Sequence, residues 1–421
     1  LIDNNNHIET NEKSITYYSN VFSQLPIVHL TIDESDLFDW NKGIMISGSA
    51  STSNNLFYQD WWYRPSNFAL RGSASARDVY FQYFNEGGLV YESAGNVKIS
   101  GNATRYFPQK SLKIRAVDEK GRKTKFEFPF WGKSGNKKYE SIVLRQSGND
   151  NTSTLFADLL MHELAAESKV IILNGFPVSL FINGNYWGIY NVRERIDEYM
   201  LSKRVDADSK DITILKCEKS ANIYRLVAGE EKEKQEFENL IQLINEEGRV
   251  SEIEYLMISE RISLKSFIDY IFFETYFANQ DWLLNNTTWF KAKGGQWKWI
   301  LNDLDFSLAY PGEWNVNSNL FTRLLTKNSI MGKLFTALIA VDAFKEKFLK
   351  RSKKHLEEIF NEANLTEKFY QLKSKYEGDM QYEIDRWRSI DSYAAWEASC
   401  EANLTFLINR KLIYLKQLKD L

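Results

Sequence analysis

The chain has 421 residues, 43% of them apolar and 26% charged, with a formal net charge of −3. That balance fits a globular protein with a sizeable core and excludes the basic footprint of a nucleic-acid binder. No apolar run reaches the roughly 18 residues that span a bilayer. The two cysteines, Cys217 and Cys400, and four histidines, His7, His29, His162 and His355, show no ligand spacing, which excludes a Cys/His zinc centre. The chain starts at Leu1 rather than Met, so the expectation is an exported or cell-surface protein whose leader has been removed, with a cytoplasmic site left open. Aromatic residues at 14% suit export or stacking surfaces.

Residues 1–20 are polar and Asn-rich and read as a lead-in. Residues 25–33 have the β-branched content of a strand, and short alternating runs follow at 68–71, 78–85, 95–100 and 111–117. The last should pair with 123–128 across a Gly-containing loop at 118–122. A helix is predicted over 152–168, capped by Asp150 or Asn151, with Leu155, Leu159, His162, Leu164 and Ala165 at helical spacing. Residues 178–182 and 186–192 then form a hairpin across Asn183-Gly184, a dipeptide suited to a type I′ turn.

Beyond Glu194 the periodicity becomes helical, over 231–247, 252–259, 263–279, 331–360, 366–387 and 396–418. Embedded there is a β ribbon, 288–291 and 297–301, bridged by Lys293-Gly294-Gly295. Segregated strands and helices predict an α+β fold with a β-rich N-terminal half (21–193) and a mainly helical C-terminal half (194–421). The cluster Asp206-Ala207-Asp208-Ser209-Lys210-Asp211 lacks the Gly and terminal Glu of a calcium loop and reads as a surface turn.

The chemistry concentrates in Asn279-Gln280-Asp281-Trp282-Leu283-Leu284-Asn285-Asn286 and Trp297-Lys298-Trp299-Ile300-Leu301-Asn302-Asp303-Leu304-Asp305-Phe306. Alone, Asp281 reads as a cap or turn acid and Asn286 as a turn residue. Together with Asp303 and Asp305 they gain meaning, because a hairpin sets its two ends side by side. Asn286 before the ribbon and Asp303 after it should therefore be neighbours. A carboxylate, an amide oxygen, phosphate oxygens and water make a site for one octahedral cation. Asp303 and Asp305, two apart, face the same way and repel unless a cation neutralises them.

Other candidates are less specific. Lys113 and Arg115 share one face of their strand and could meet phosphates, or form a solvated basic face; Asp158 and Glu163 on the next helix are candidate ion-pair partners. Tyr190 and Trp297 could stack on a purine, or be core aromatics.

The order of motifs resembles the CotH kinase family of atypical protein kinases over about residues 25–415. The resemblance rests on Leu25-Pro26-Ile27-Val28, Phe107-Pro108-Gln109-Lys110-Ser111-Leu112-Lys113, Leu144-Arg145 with Gly148-Asn149-Asp150, and Asn183 to Asn191 with Glu194-Arg195-Ile196-Asp197. It continues through the two acidic stretches, Arg386-Trp387 and the Trp396 to Arg410 region. It implies a bilobal, protein-kinase-like fold that binds ATP and Mg²⁺ (or Mn²⁺) and phosphorylates protein Ser/Thr. Asp281 would be the catalytic base, Asn286 and Asp303 the metal ligands with Asp305 in support. Lys113 would bind phosphate, with Lys110 and Arg115 as rivals. Tyr190 and Trp297 would flank adenine, and Val192 to Glu194 would form the hinge. The chain departs from the family at Asn302, where an aromatic residue is expected.

Two other classes compete. One is a catalytically silent, pseudokinase-like binding module at the cell surface, glycan-associated through its aromatic residues. The other is a glycoside hydrolase using Asp281 and Asp303 as acid and base, which needs the two carboxyls about 5 to 9.5 Å apart across an open cleft.

Overall fold

The structure, a computed structural model, describes residues 23–52, 64–118, 120–132, 137–217, 223–283, 285–310, 315–326 and 328–421. The predicted lead-in over 1–20 lies outside them. The fold is α+β, with strands gathered in the first half and helices in the second.

Seven strands close into a barrel: β1 (Ile27–Thr31), β2 (Arg77–Asn85), β3 (Gly88–Ile99), β4 (Leu112–Ala116), β5 (Ser141–Arg145), β6 (Gly175–Ile182) and β7 (Asn185–Arg193), in the order β1-β2-β3-β4-β5-β7-β6. Neighbours run antiparallel except β1 and β6, whose parallel pairing closes the ring and leaves no free edge. The alternation of β4, Leu-Lys-Ile-Arg-Ala, drives Leu112, Ile114 and Ala116 into the barrel beside Val97, Ile142, Leu144, Val178 and Val192. The same alternation turns Lys113, Arg115, Arg145 and Arg193 to the outer face. The β6–β7 turn is as predicted: Asn183 (φ +50°) and Gly184 (φ +78°) both take the left-handed conformation of a type I′ hairpin.

Two predicted strands are not found. Residues 67–69 form a 3₁₀ turn, and 123–128 make only single bridges, Val117 to Lys123 and Phe126 to Tyr139. There Phe126, Phe128 and Phe130 leave the ladder to pack edge-on against Phe81 and Tyr83 at the barrel mouth.

Helix α1 (Glu34–Phe38) follows β1, and α2 (Ala157–Ala165) follows β5. Helix α2 starts five residues later than its periodicity suggests, because 148–152 wind as a 3₁₀ turn. Asp150 still serves the helix start, accepting the Ala157 N–H at 2.9 Å.

Past the barrel come α3 (Glu198–Val205) and a second sheet, β11-β10-β8-β9, of β8 (Ile212–Cys217), β9 (Tyr224–Ala228), β10 (Thr288–Ala292) and β11 (Lys298–Ile300). The predicted ribbon is the β10–β11 pair. Strand β8 escaped the sequence reading because nearly all of it is buried, giving an apolar run without alternation.

Helices α4 (Glu231–Gln242), α5 (Glu252–Arg261), α6 (Leu264–Tyr276), α7 (Leu320–Leu324), α8 (Ile330–Ile339), α9 (Asp342–Glu358), α10 (Glu362–Glu377), α11 (Met380–Trp387) and α12 (Tyr393–Lys419) complete the chain. The runs predicted over 331–360 and 366–387 are each two helices, broken at Ala340-Val341 and Gly378-Asp379. The apolar stripes of each pair face one shared core, so the periodicity hides the break.

Buried on every side from Ser266 to Tyr276, α6 is the axis of this half. Its Asp269 is held by Arg351, by His355 (2.7 Å) and by the Lys169 N–H (2.6 Å). Its C-terminal carbonyls, Thr275 and Tyr276, accept from the buried Arg410 of α12 at 2.9 and 3.1 Å. The helices also grip the barrel: Glu383 accepts the Ile189 N–H (2.6 Å), and Trp396 donates to the Thr154 carbonyl (3.0 Å). Replacing Arg410 by Met strips those helix-end carbonyls of their donors and should cost about 2 kcal/mol. The check is the denaturant midpoint at constant m-value.

Candidate active site

The chain leaves α6 through Ala278, Asn279 and Gln280, and this short loop carries Asp281. Left-handed backbone recurs around it, at Ala278 (φ +55°), Leu283 (+78°), Asn286 (+59°), Asp303 (+62°) and Leu308 (+57°). Asn and Asp tolerate this conformation, whereas Ala and Leu hold it only under tertiary constraint. The constraints are visible. Trp282 donates to the Tyr270 hydroxyl at 2.8 Å, and Arg323 donates to the Gln280 and Trp282 carbonyls at 3.1 and 3.2 Å.

Both oxygens of Asp281 are oriented: Asn285 donates to Oδ1 and Asn286 to Oδ2, each at 2.8 Å. Burial and then the negative charge of Asp303 raise the Asp281 pKa above the ordinary carboxylate range. Asp281 therefore touches Asn286 and lies within electrostatic reach of Asp303.

Asn279, fully buried, fastens the two acidic stretches together. Its Oδ1 accepts the Asp281 N–H (3.2 Å), and its Nδ2 donates to the Asp303 carbonyl (3.4 Å) and to Glu274 Oε2 (2.9 Å). Burial pushes the pKa of Glu274 up to about 8.

Arg145, at the end of β5, supplies the positive charge. Its Nη2 donates to Asp303 Oδ1 and to Asp305 Oδ2 (2.7 Å). Asp305 is 5% exposed and also accepts the Asn149 N–H at 2.8 Å. Burial, then Asp303, holds the Asp305 pKa well above its usual value. Gly148 makes this approach possible. A Cβ there would lie 1.6 Å from Asp305 Oδ2, and its φ of +63° favours glycine. From α2, Asp158 accepts the N–H of Leu304 at 2.9 Å and pairs with Arg193 at 3.0 Å, so the backbone between the two acids is pinned to the helix.

The other predicted residues are placed elsewhere. Lys113 lies on the outer face of β4, where burial and then Arg195 lower its pKa to about 8; Arg145, not Lys113, is the cation that meets Asp303. Arg115 stands 3.7 Å from Glu140. Lys110 is spent on the Arg105 and Phe107 carbonyls. Asp158 is ion-paired, though to Arg193 and not to the β4 cations.

Tyr190 and Trp297 do not form a pair. Tyr190 is buried in the barrel with its hydroxyl on the Lys110 carbonyl (3.0 Å), while Trp297 packs edge-on against Phe237 at 5.2 Å in the helical core. Alternation gives both residues a core face as readily as a ligand face. Glu194, at the end of β7, is held by Arg204 and the Asn174 N–H. Arg145, Asn279 and Glu274 join the candidate site without having stood out in the sequence. The signal available for Arg145 was its place at the end of the strand that feeds α2.

Among the described residues no three His, Cys, Asp or Glu side chains gather into a metal cage. The donor set nevertheless fits a divalent ion. The repulsion between Asp281 and Asp303 calls for a cation, and Asp303 is about one-third exposed. One carboxylate, Asp303, and the Asn286 amide oxygen would leave the remaining positions to phosphate and water.

A profile of the CotH kinase protein family matches residues 97–414. The match covers most of the chain, and the protein belongs to this family of kinase-like proteins. A search of curated proteins returns no match.

Two consequences are measurable. Gly148→Ala must displace Asp305 and strain the backbone, lowering stability by at least ~2 kcal/mol, read by chemical denaturation. Glu274, protonated in the fold well above its ordinary range, contributes stability that is complete below about pH 4.5 and lost as pH rises through about 8. Glu274→Gln should therefore shrink the fall in Tm between pH 5 and 8.

Proposed function

We propose that the protein transfers the γ-phosphoryl group of ATP to a Ser or Thr hydroxyl of a protein substrate. The observation that carries this reading is the convergence of Asp281, Asn286 and Asp303, closed by Arg145 from the strand that feeds α2. In protein kinases a cation on the strand before the first large helix, a carboxylate on that helix, a base, and an Asn/Asp metal pair follow one another in the same order. Here that order is Arg145, Asp158, Asp281, Asn286 and Asp303.

Asp281 accepts the proton of the attacking hydroxyl, a role supported by its raised pKa and by the two amides that aim its oxygens. The hydroxyl oxygen forms the new bond to phosphorus as the bond to the ADP oxygen breaks. Asn286 and Asp303 would hold Mg²⁺ or Mn²⁺, which neutralises the phosphate charge; Asp305 keeps Asp303 and Arg145 in place. Arg145 takes the phosphate-facing role that the sequence assigned to Lys113, and its planar fork suits two phosphate oxygens. No helix among the described residues is long and apolar enough to cross a membrane.

Incubation with γ-labelled ATP and Mg²⁺ or Mn²⁺ should label the protein itself or a basic Ser/Thr-rich protein. Asp281→Asn and Asp303→Ala should each reduce transfer by about 100-fold or more. Absence of transfer, with Asp303→Ala binding nucleotide as wild type does, would sink the reading. Nucleotide binding without transfer, abolished by Asp303→Ala, would replace it with the silent binding module. Arg145→Met should also destabilise the fold, by about 3 kcal/mol at neutral pH.

A further inference from the structure

Between the barrel mouth and one side of α2 lies a cavity of about 370 Å³. Its wall is mostly apolar and includes the aromatic residues Tyr83, Phe130, Trp131 and Phe176. None of Asp281, Asn286, Asp303 and Asp305 lines it. Glu163, which the sequence offered as an ion-pair partner for the β4 cations, lines this cavity instead. We propose that the cavity binds a small organic cation of the alkylammonium class.

The charge of the lining separates the ligand classes. No Lys or Arg lines the cavity, and Glu163 is its one carboxylate. His162 adds no positive charge. Its Nδ1 accepts the Leu173 N–H at 3.2 Å, its Nε2 faces Asp158 Oδ1 at 3.6 Å, and burial, then Arg193, lowers its pKa. An anion would therefore meet a like charge, whereas a cation meets an opposite one. Among the described residues no ion pair or hydrogen bond holds the half-buried Glu163 carboxylate. Burial raises its pKa, and Lys375, Lys368 and Arg193 offset this only in part, from a distance. A carboxylate so placed, without a counter-charge, is stabilised by any cation that reaches it. The aromatic wall points to the same class. Ring faces carry negative potential and attract cations, most effectively where water is excluded, and quaternary ammonium groups are recognised in this way. Edge-on contacts of Tyr83 with Phe130 (5.7 Å) and Phe176 (6.0 Å), and of Trp131 with Tyr139 (4.5 Å), hold the wall in place before any ligand arrives. The volume lies near the lower end for small-molecule sites, which limits the ligand's size.

Isothermal titration of the whole protein with choline tests the assignment, beside the uncharged alcohol in which a tert-butyl group replaces the trimethylammonium. Choline should bind one-to-one, and the alcohol about tenfold more weakly, the value of a desolvated cation–π contact. Glu163→Gln keeps the shape of the side chain and should weaken choline binding by about the same factor. Glu163→Lys, which sets a tethered ammonium on the wall, should abolish it. The proposal is overturned if choline gives no saturable heat, if choline and the alcohol bind alike, or if either variant binds choline as the wild type does. Tighter binding of benzoate than of choline would also overturn it, assigning the cavity to an anion. None of these readouts depends on phosphoryl transfer.

Discussion

One nitrogen of Arg145 between the carboxylates of Asp303 and Asp305 is the contact on which the geometry of the site depends. Asp305 is nearly inaccessible to water, and an ionised carboxylate left there alone would cost several kcal/mol. Burial and Asp303 favour its protonated form, and the opposing cation, from the last residue of β5, binds both acids at once. The contact forces a sequence of consequences. Residue 148 must lack a Cβ, Asn149 must present its N–H, and α2 must sit where Asp158 can take the N–H of Leu304. The barrel and the helical half therefore meet at the acids.

Beneath this contact, the Asp281 loop is held by bonds that offset its strain. Five left-handed residues in one region would relax if the loop were free. They persist because Asn279 binds both acidic stretches, Arg323 holds the carbonyls on either side of Asp281, and Arg410 fixes the end of α6. Such a loop keeps Asp281, Asn286 and Asp303 at fixed separations, which suits the proposed phosphoryl transfer, a reaction that relies mostly on positioning and charge neutralisation. Glu274 extends the arrangement inward as a buried acid that favours its neutral form and accepts the Asn279 amide.

Much of this was legible in the residues. The α+β division, the Asn183-Gly184 hairpin and the β10–β11 ribbon follow from local periodicity and turn chemistry, which act over a few residues. Strand β8 was not legible, because a strand covered on both faces loses its alternation. Nor were the breaks at Val341 and Asp379, because both helices of each pair present their apolar stripes to one core. Asp281 and Asn286 stood out because a ribbon sets its ends side by side whatever surrounds it. Lys113 came from the family resemblance, with Lys110 and Arg115 as rivals; Arg145 lies on an outward face of the neighbouring strand, and alternation alone does not single it out.

The sequence by itself determined the class of the fold, the family, and which polar residues the β ribbon must bring together, since each depends on short-range pattern. Only the tertiary structure decided which cation answers the acids, that Tyr190 and Trp297 are core aromatics in separate clusters, and that Asn279 and Glu274 sit behind Asp281. Those outcomes depend on how the closed barrel is rotated against α2 and α6. That rotation is set by packing between residues more than a hundred positions apart, as Arg145 is from Asp303, and no local pattern records it.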